Sequence, residues 1–236
     1  MASTRQRRGE EIVQVSSPAP PTKEALRNQL RQQASKHEPE ERRRESARIC
    51  AQITTQPIWK SAKSILFFWP MPGEPDLLAL CDEALRSGKI VAFPKFVLTS
   101  SPSPHDEGVG RGSGRGAGFQ FPGAGAYCAV QVSDLKHDLA PGQFGIPEPA
   151  SSSPPRTLNV LDLIFVPGIG FTFAGARLGR GKGYYDRLLS TISGIRCGVA
   201  FDWQIVAELP TETHDIRLDC VVTPSQWRNI TDQPVK

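Results

Sequence analysis

The sequence contains no C-x-x-C pair and no apolar stretch near the ~18 residues that a membrane-spanning helix requires. Its five cysteines, at positions 50, 81, 128, 197 and 220, are odd in number and widely spaced. That argues against a disulfide framework or a zinc site and for reduced thiols, packed as small hydrophobes, in a cytoplasmic protein. The first twenty residues lack an apolar h-region, and Glu10 and Glu11 interrupt the basic stretch of Arg5, Arg7 and Arg8. Neither a secretory signal nor a mitochondrial presequence is expected there, and residues 1–20 read as a disordered tail. Internal repeats are absent, and so is a large excess of one charge. A formal net charge of +4, with both signs mixed along most of the chain, is modest for a dedicated nucleic-acid binder. It suits polyphosphates or carboxylate-rich small molecules equally well.

What is present, over 236 residues that are 39 % hydrophobic, is enough apolar material for one core. Thr22 is placed to cap a helix from Lys23 to Arg31 with Leu26 and Leu30 inward, and a second helix is expected from Pro39 to about Ile53. From Ser64 onward strand and helix patterns alternate. Strands are expected at 65–69, 90–93, 161–166, 196–201 and 218–222, and helices at 76–87, from about 184, and briefly at 204–208. This pattern predicts an α/β fold of three layers, Rossmann-like, with a mostly parallel sheet covered by helices. The single domain is expected to span 21–228, followed by a tail at 229–236. Residues 99–126, with Ser-Pro repeats and an alternating Gly/Arg run at 108–116, read as a flexible insertion.

The densest chemical signal is the apolar run 161–166 followed by Gly175, Arg177, Gly179, Arg180, Gly181, Lys182 and Gly183, then by Tyr184-Tyr185-Asp186 at the start of a helix. Glycines at 175, 179, 181 and 183 are expected to allow positive φ and turn backbone N–H groups inward. Arg177, Arg180 and Lys182 supply positive charge, and the helix start adds the positive end of its dipole. The loop is built for phosphate, yet it is neither a Walker loop, since Ala176 and Gly183 occupy the wrong positions, nor a G-x-G-x-x-G turn. Its place after a strand that reads as buried on both faces favours a ligand site over a plain basic surface turn. Lys23 and Arg27, four residues apart on one helix face, read either as a ligand clamp or as a solvated face.

Lys23-x-x-Leu26-Arg27, the segment 71–76 (Met-Pro-Gly-Glu-Pro-Asp), the segment 144–149 (Phe-Gly-Ile-Pro-Glu-Pro), Val166-Pro167-Gly168, the loop 177–186 and His214-Asp215 together resemble the 5-formyltetrahydrofolate cyclo-ligase family in order and spacing. The resemblance runs from about Thr22 to Thr223, apart from the insertion. It implies an enzyme that uses ATP and Mg²⁺ to convert 5-formyltetrahydrofolate to 5,10-methenyltetrahydrofolate, releasing ADP and phosphate; a monomer is expected, though nothing in the sequence fixes the oligomeric state. It implies ATP contacts for Lys23, Arg27, Arg177, Leu178, Gly179, Arg180, Gly181, Lys182, Gly183, Tyr184 and Tyr185. Of these, Arg180, Lys182 and Tyr184 also face the folate, and Arg180 and Lys182 are the catalytic pair. It further implies folate contacts for Trp69, Glu74 and Phe144, and places Asp186 and Asp215 around Mg²⁺. Such chemistry needs no protein nucleophile, so the lack of a Ser-His or Cys-His signature is no obstacle. One departure is visible: Phe171-Thr172-Phe173 stands where the family has Asp directly after Phe. A non-catalytic folate or nucleotide binder of the same fold, and an RNA contact through the Arg/Gly run, are the competing readings.

Overall fold

The computed structural model describes residues 21–98, 125–142, 145–150 and 158–230. Helix α1 (Lys23–Ala34) starts where Thr22 accepts the Ala25 N–H at 3.2 Å, satisfying one of the orphan donors of the first turn. Helix α2 (Pro39–Thr55) carries Glu40 and Glu41 in its first turn and buries Ile49 and Ile53, and α3 (Pro57–Ser61) buries Trp59. Strand β1 (Ser64–Leu66) is shorter than expected. Phe67 donates one more bond to Ala92, at 2.9 Å, before the chain leaves the sheet. Helix α4 (Leu78–Arg86) begins later than its sequence pattern suggests, because the Asp76 carboxylate accepts the Leu78 N–H at 2.8 Å and caps it there.

Strand β2 (Ile90–Leu98) runs well past the apolar residues 90–93 and pairs antiparallel with β3 (Gly125–Val132), which was not anticipated from the sequence. Pro94 fits inside β2 because β1 ends opposite Ala92, leaving only β3 beside it from there on. Strands β4 (Leu139–Pro141) and β5 (Pro147–Pro149) form a separate hairpin. Then come β6 (Val160–Val166), the small pair β7 (Gly170–Phe171) and β8 (Arg177–Leu178), helix α5 (Tyr184–Thr191), β9 (Ser193–Val199), β10 (Cys220–Val222) and β11 (Trp227–Asn229). The short helix expected at 204–208 is a single 3-10 turn at Asp202–Gln204.

The seven-stranded sheet has the order β11-β10-β9-β6-β1-β2-β3. The strands from β10 to β2 are parallel, and antiparallel β11 and β3 close the two edges. Successive residues of β6 point to opposite faces. Leu163 and Phe165 join one buried cluster with residues of α2, α3 and α4, whereas Ile164 and Val166 join a second with Leu188 and Leu189 of α5. Both faces are therefore covered, which explains the continuous apolar run that β6 shows in sequence. The layers are helices, sheet and helix, as the element pattern predicted. Burial pushes the Cys81 thiol up to about 12 and that of Cys50 up to about 11, so these cysteines act as hydrophobes and not as nucleophiles.

The chain adds β2 on one side of β1 and then returns to add β6, β9 and β10 on the other. The strand order therefore reverses between β1 and β6, which is where an open α/β sheet parts at its carboxyl edge and admits ligands. At the opposite edge Asp162 locks the same two strands together. Its Oδ2 accepts the Lys63 N–H (2.8 Å), the Ser64 N–H (2.9 Å) and the Ser64 hydroxyl (3.0 Å). These bonds, led by that from Lys63, hold the carboxyl below its ordinary value against a small desolvation penalty. With the folded-state pKa depressed, the stabilisation is complete above the unfolded value near ~4 and is lost as pH falls through the folded one. Because Asp162 is exposed and solvent screens its charge, Asp162→Asn is expected to cost less than about 1 kcal/mol at pH 7. The difference from the parent in urea unfolding should shrink steadily below about pH 4.

Candidate functional site

The backbone immediately after β1 and β6 opens into a cavity of about 570 Å³. Its base is formed by Phe68 and Trp69 beyond β1 and by Pro167 and Gly168 beyond β6. Phe93 and Pro94 of β2 and Tyr127 of β3 continue the wall. The early end of β1 has its reason here, since Phe68 and Trp69, read as strand residues in the sequence, are cavity-lining groups.

One side is the loop 177–183. Gly175, Gly181 and Gly183 have φ of 89°, 95° and 64°, values that disfavour any side chain. Gly179 departs from the expectation of positive φ. It is needed for a different reason, because a Cβ there would lie 2.9 Å from the Arg177 guanidinium. That guanidinium is almost fully buried: it donates to Asp186 Oδ1 at 2.7 Å, reaches Pro167 O at 3.4 Å, and lies over the Tyr185 ring. Lys182 is exposed to the cavity near the face of Tyr184, at 5.9 Å from the ring centre. Tyr184 in turn meets Tyr127 ring to ring at 5.0 Å.

Helix α1 faces this loop. Arg27 donates to Gly179 O at 2.9 Å, and Lys23 binds Asp215 at 2.8 Å and Glu212 at 3.0 Å. Burial opposes the charge on both Lys23 and Asp215, but the bonds between them outweigh it, so the ammonium is held above its usual range and the carboxyl below. On this helix face Arg27 therefore points at the loop 177–183 and Lys23 at the segment 212–215, and both are held by protein partners. Across the cavity mouth Arg180 reaches the loop after β1. Its Nε and one terminal nitrogen donate to Glu74 Oε1 at 3.1 and 2.9 Å, while Glu74 Oε2 accepts the Met71 N–H at 3.0 Å.

Every site residue expected from the sequence lines this one cavity, except Phe144, which lies outside the described residues. The Leu178 side chain is also turned away, packed with Leu26 and Leu30 of α1, so it shapes the loop from behind. Asp186 and Asp215, far apart in sequence, face the same space but are each engaged by a cation, and among the described residues no three His, Cys, Asp or Glu side chains are grouped so as to hold a metal ion. At the family's missing aspartate, the Thr172 hydroxyl accepts the Ala176 N–H at 3.1 Å, a turn-capping task that a carboxylate could also perform.

A family model described as the 5-formyltetrahydrofolate cyclo-ligase family matches residues 19–224. The chain belongs to that family. It is 29 % identical over 206 residues to 5-formyltetrahydrofolate cyclo-ligase of Mus musculus, covering 85 % of this chain and 92 % of the relative. It is 30 % identical over 203 residues to the probable cyclo-ligase of Schizosaccharomyces pombe, covering 79 % and 87 %. The solved structure of Aquifex aeolicus 5,10-methenyltetrahydrofolate synthetase superposes with a TM-score of 0.70 at 30 % identity, over 91 % of this chain and 95 % of that one. This cyclo-ligase chain thus spans nearly the whole length of these relatives.

Sequence reading assigned no role to Arg31, Tyr127 or Glu148, although all three line the cavity. Arg31 continues the Lys23/Arg27 face by one more turn, so helical spacing alone would have found it. Tyr127 sits on the unanticipated β3. Glu148, in the Gly-Ile-Pro-Glu-Pro turn, fills space that a side chain at Gly142 would occupy. Burial raises its pKa in spite of the Phe96 N–H and Lys95 nearby.

Proposed function

We propose that this chain converts 5-formyltetrahydrofolate to 5,10-methenyltetrahydrofolate at the expense of ATP. The observation that carries the reading is the convergence of two cationic faces, the loop 177–183 and helix α1, on a largely apolar, aromatic-lined cavity at the point where the strand order reverses. Cations without apolar walls would suit a nucleotide alone; the aromatic walls suit a flat heterocycle beside it.

The chemistry asks little covalent work of the protein. A formyl group on nitrogen is an amide, and its oxygen is a poor leaving group. Transfer of the γ-phosphoryl from ATP to that oxygen, with ADP departing, turns it into phosphate. N10 of the folate then attacks the formyl carbon and gives up its proton, and the C–O bond breaks to release phosphate and leave the methenyl bridge. The demands are alignment and charge neutralisation. Lys182 and Arg180 supply positive charge at the transferring phosphoryl group. Lys23 and Arg27 hold the nucleotide from α1, and loop N–H groups freed by Gly181 and Gly183 reach its oxygens. Trp69 gives the pterin an apolar wall and Glu74 accepts its N–H groups. Asp186 and Asp215 would hold Mg²⁺. They fit it, since Asp186 gives only Oδ1 to Arg177, and Asp215 gives Oδ2 to Lys23 and the Glu212 N–H while its Oδ1 has only His214, at 4.0 Å, beside it. Mg²⁺ is commonly bound by one or two carboxylates plus substrate phosphates, and when bound it neutralises phosphate charge.

Mixing the protein with Mg-ATP and 5-formyltetrahydrofolate should produce the ultraviolet absorbance of methenyl-folate and one ADP per turnover. Binding of both ligands without either product would identify a binder of the same fold and sink the catalytic reading.

A further inference from the structure

The Arg180–Glu74 pair joins the two halves of the site. Arg180 belongs to the phosphate loop, Glu74 to the loop after β1, and they are separated by 106 residues in sequence. The Glu74 side chain is 5 % exposed and that of Arg180 37 %. Both carboxylate oxygens of Glu74 are taken, Oε1 by the two guanidinium donors and Oε2 by the Met71 N–H, and Arg180 also reaches Pro72 O at 3.5 Å. The acceptor that would read the pterin is thus covered by the cation that would meet the phosphate. A buried carboxylate stripped of its guanidinium must find another donor, because an uncompensated buried charge is strongly disfavoured.

We propose that Arg180 and Glu74 exchange partners when substrates bind, so that each substrate releases the residue which the other requires. This rests on the ATP and folate reading given above. Polyphosphate draws Arg180 away, and Glu74 becomes open to the N–H groups of a heterocycle. A heterocycle that donates to Glu74 does the reverse, and frees the guanidinium to turn to phosphate. The consequence is positive coupling between the two substrates, equal in both directions by linkage. Because Arg180 is partly solvated, the pair is of modest strength. The coupling belongs at the low end of the usual range, about fivefold.

The test uses the full chain and a non-hydrolysable ATP analogue with Mg²⁺, titrated calorimetrically with and without saturating 5-formyltetrahydrofolate. Wild type should bind the analogue about fivefold more tightly when the folate is present. Glu74→Gln keeps the side-chain volume and an acceptor for the Met71 N–H but gives up the charge that holds Arg180. It should bind the analogue about fivefold more tightly than wild type in the absence of folate, and gain nothing further from folate. A carboxylate with a purely structural role predicts no such tightening. Unchanged or weaker analogue binding by a Glu74→Gln protein with parental circular dichroism and melting overturns the exchange. If that variant does not fold, the wild-type measurement decides alone, and an affinity ratio of one overturns the proposal. Wild type that binds no analogue at all overturns the exchange together with the ATP reading beneath it, whereas a ratio of one overturns the exchange only.

Discussion

Replacing Lys182 with alanine is expected to lower turnover by ~10²-fold or more while leaving the melting temperature unchanged. Lys182 is exposed to the cavity between Gly181 and Gly183, whose φ angles of 95° and 64° disfavour ordinary side chains and leave the backbone uncovered there. No core packing depends on it, so its removal leaves the fold alone. In the proposed reaction its charge would matter most when negative charge is redistributed over the transferring phosphoryl group, and interactions realised mainly in the transition state appear in kcat. The measurement is methenyl-folate formation at saturating ATP and folate. Unchanged kcat would remove Lys182 from the catalytic pair, and a rise in KM alone would make it a ground-state binding residue.

The second large effect separates two carboxylates that the sequence presents as equivalent. Asp186 neutralises the buried Arg177 guanidinium, whose Nε already has no acceptor among the described residues. Asp186→Ala is therefore expected to destabilise the protein by about 3 kcal/mol, because breaking a buried pair strands the remaining charge. Asp215 faces Lys23 at a site where both side chains are one-fifth exposed. Its loss leaves a lysine that water can solvate, so Asp215→Ala is expected to cost less than about 1 kcal/mol. Both variants should need more Mg²⁺ for half-maximal activity. Urea unfolding and a Mg²⁺ titration of activity check the two parts separately. Equal stability losses would mean that the Arg177–Asp186 pair carries no special burden, and parental Mg²⁺ dependence in both variants would remove the metal assignment.

The sequence displayed most plainly what depends on local pattern. Helices α1 and α2, strand β6 and the glycine-rich turn of the loop 177–183 are all legible because a cap, a proline, a continuous apolar run or alternating glycines marks each within a few residues. What it concealed depends on partners distant in the chain. Strand β3 directly follows a Gly-rich segment and gains its order from pairing with β2, so no turn signal announced it. Phe68 and Trp69 look like strand residues by composition, and only the cavity at the end of β1 explains why the strand stops before them. That Arg177 and Asp186 are committed to each other is not legible in the sequence, since two residues of opposite charge nine positions apart are as often solvated as paired. The loop glycines look alike in sequence, yet Gly179 serves to admit the Arg177 guanidinium rather than to adopt positive φ.

The pairing of β2 with β3 bears on how such a chain can change over generations. Eight facing pairs run without interruption from Val91 opposite Val132 to Leu98 opposite Gly125, so the connection 99–124 leaves and rejoins the sheet at one rung of the ladder. Its ends are fixed next to each other whatever lies between them. Lengthening such a connection costs only about 0.6 kcal/mol per doubling. Tyr127, two residues inside the rejoining strand, keeps its place in the cavity wall because the ladder sets its register. A lineage can therefore add or delete sequence at this margin without retuning the cavity a few residues away.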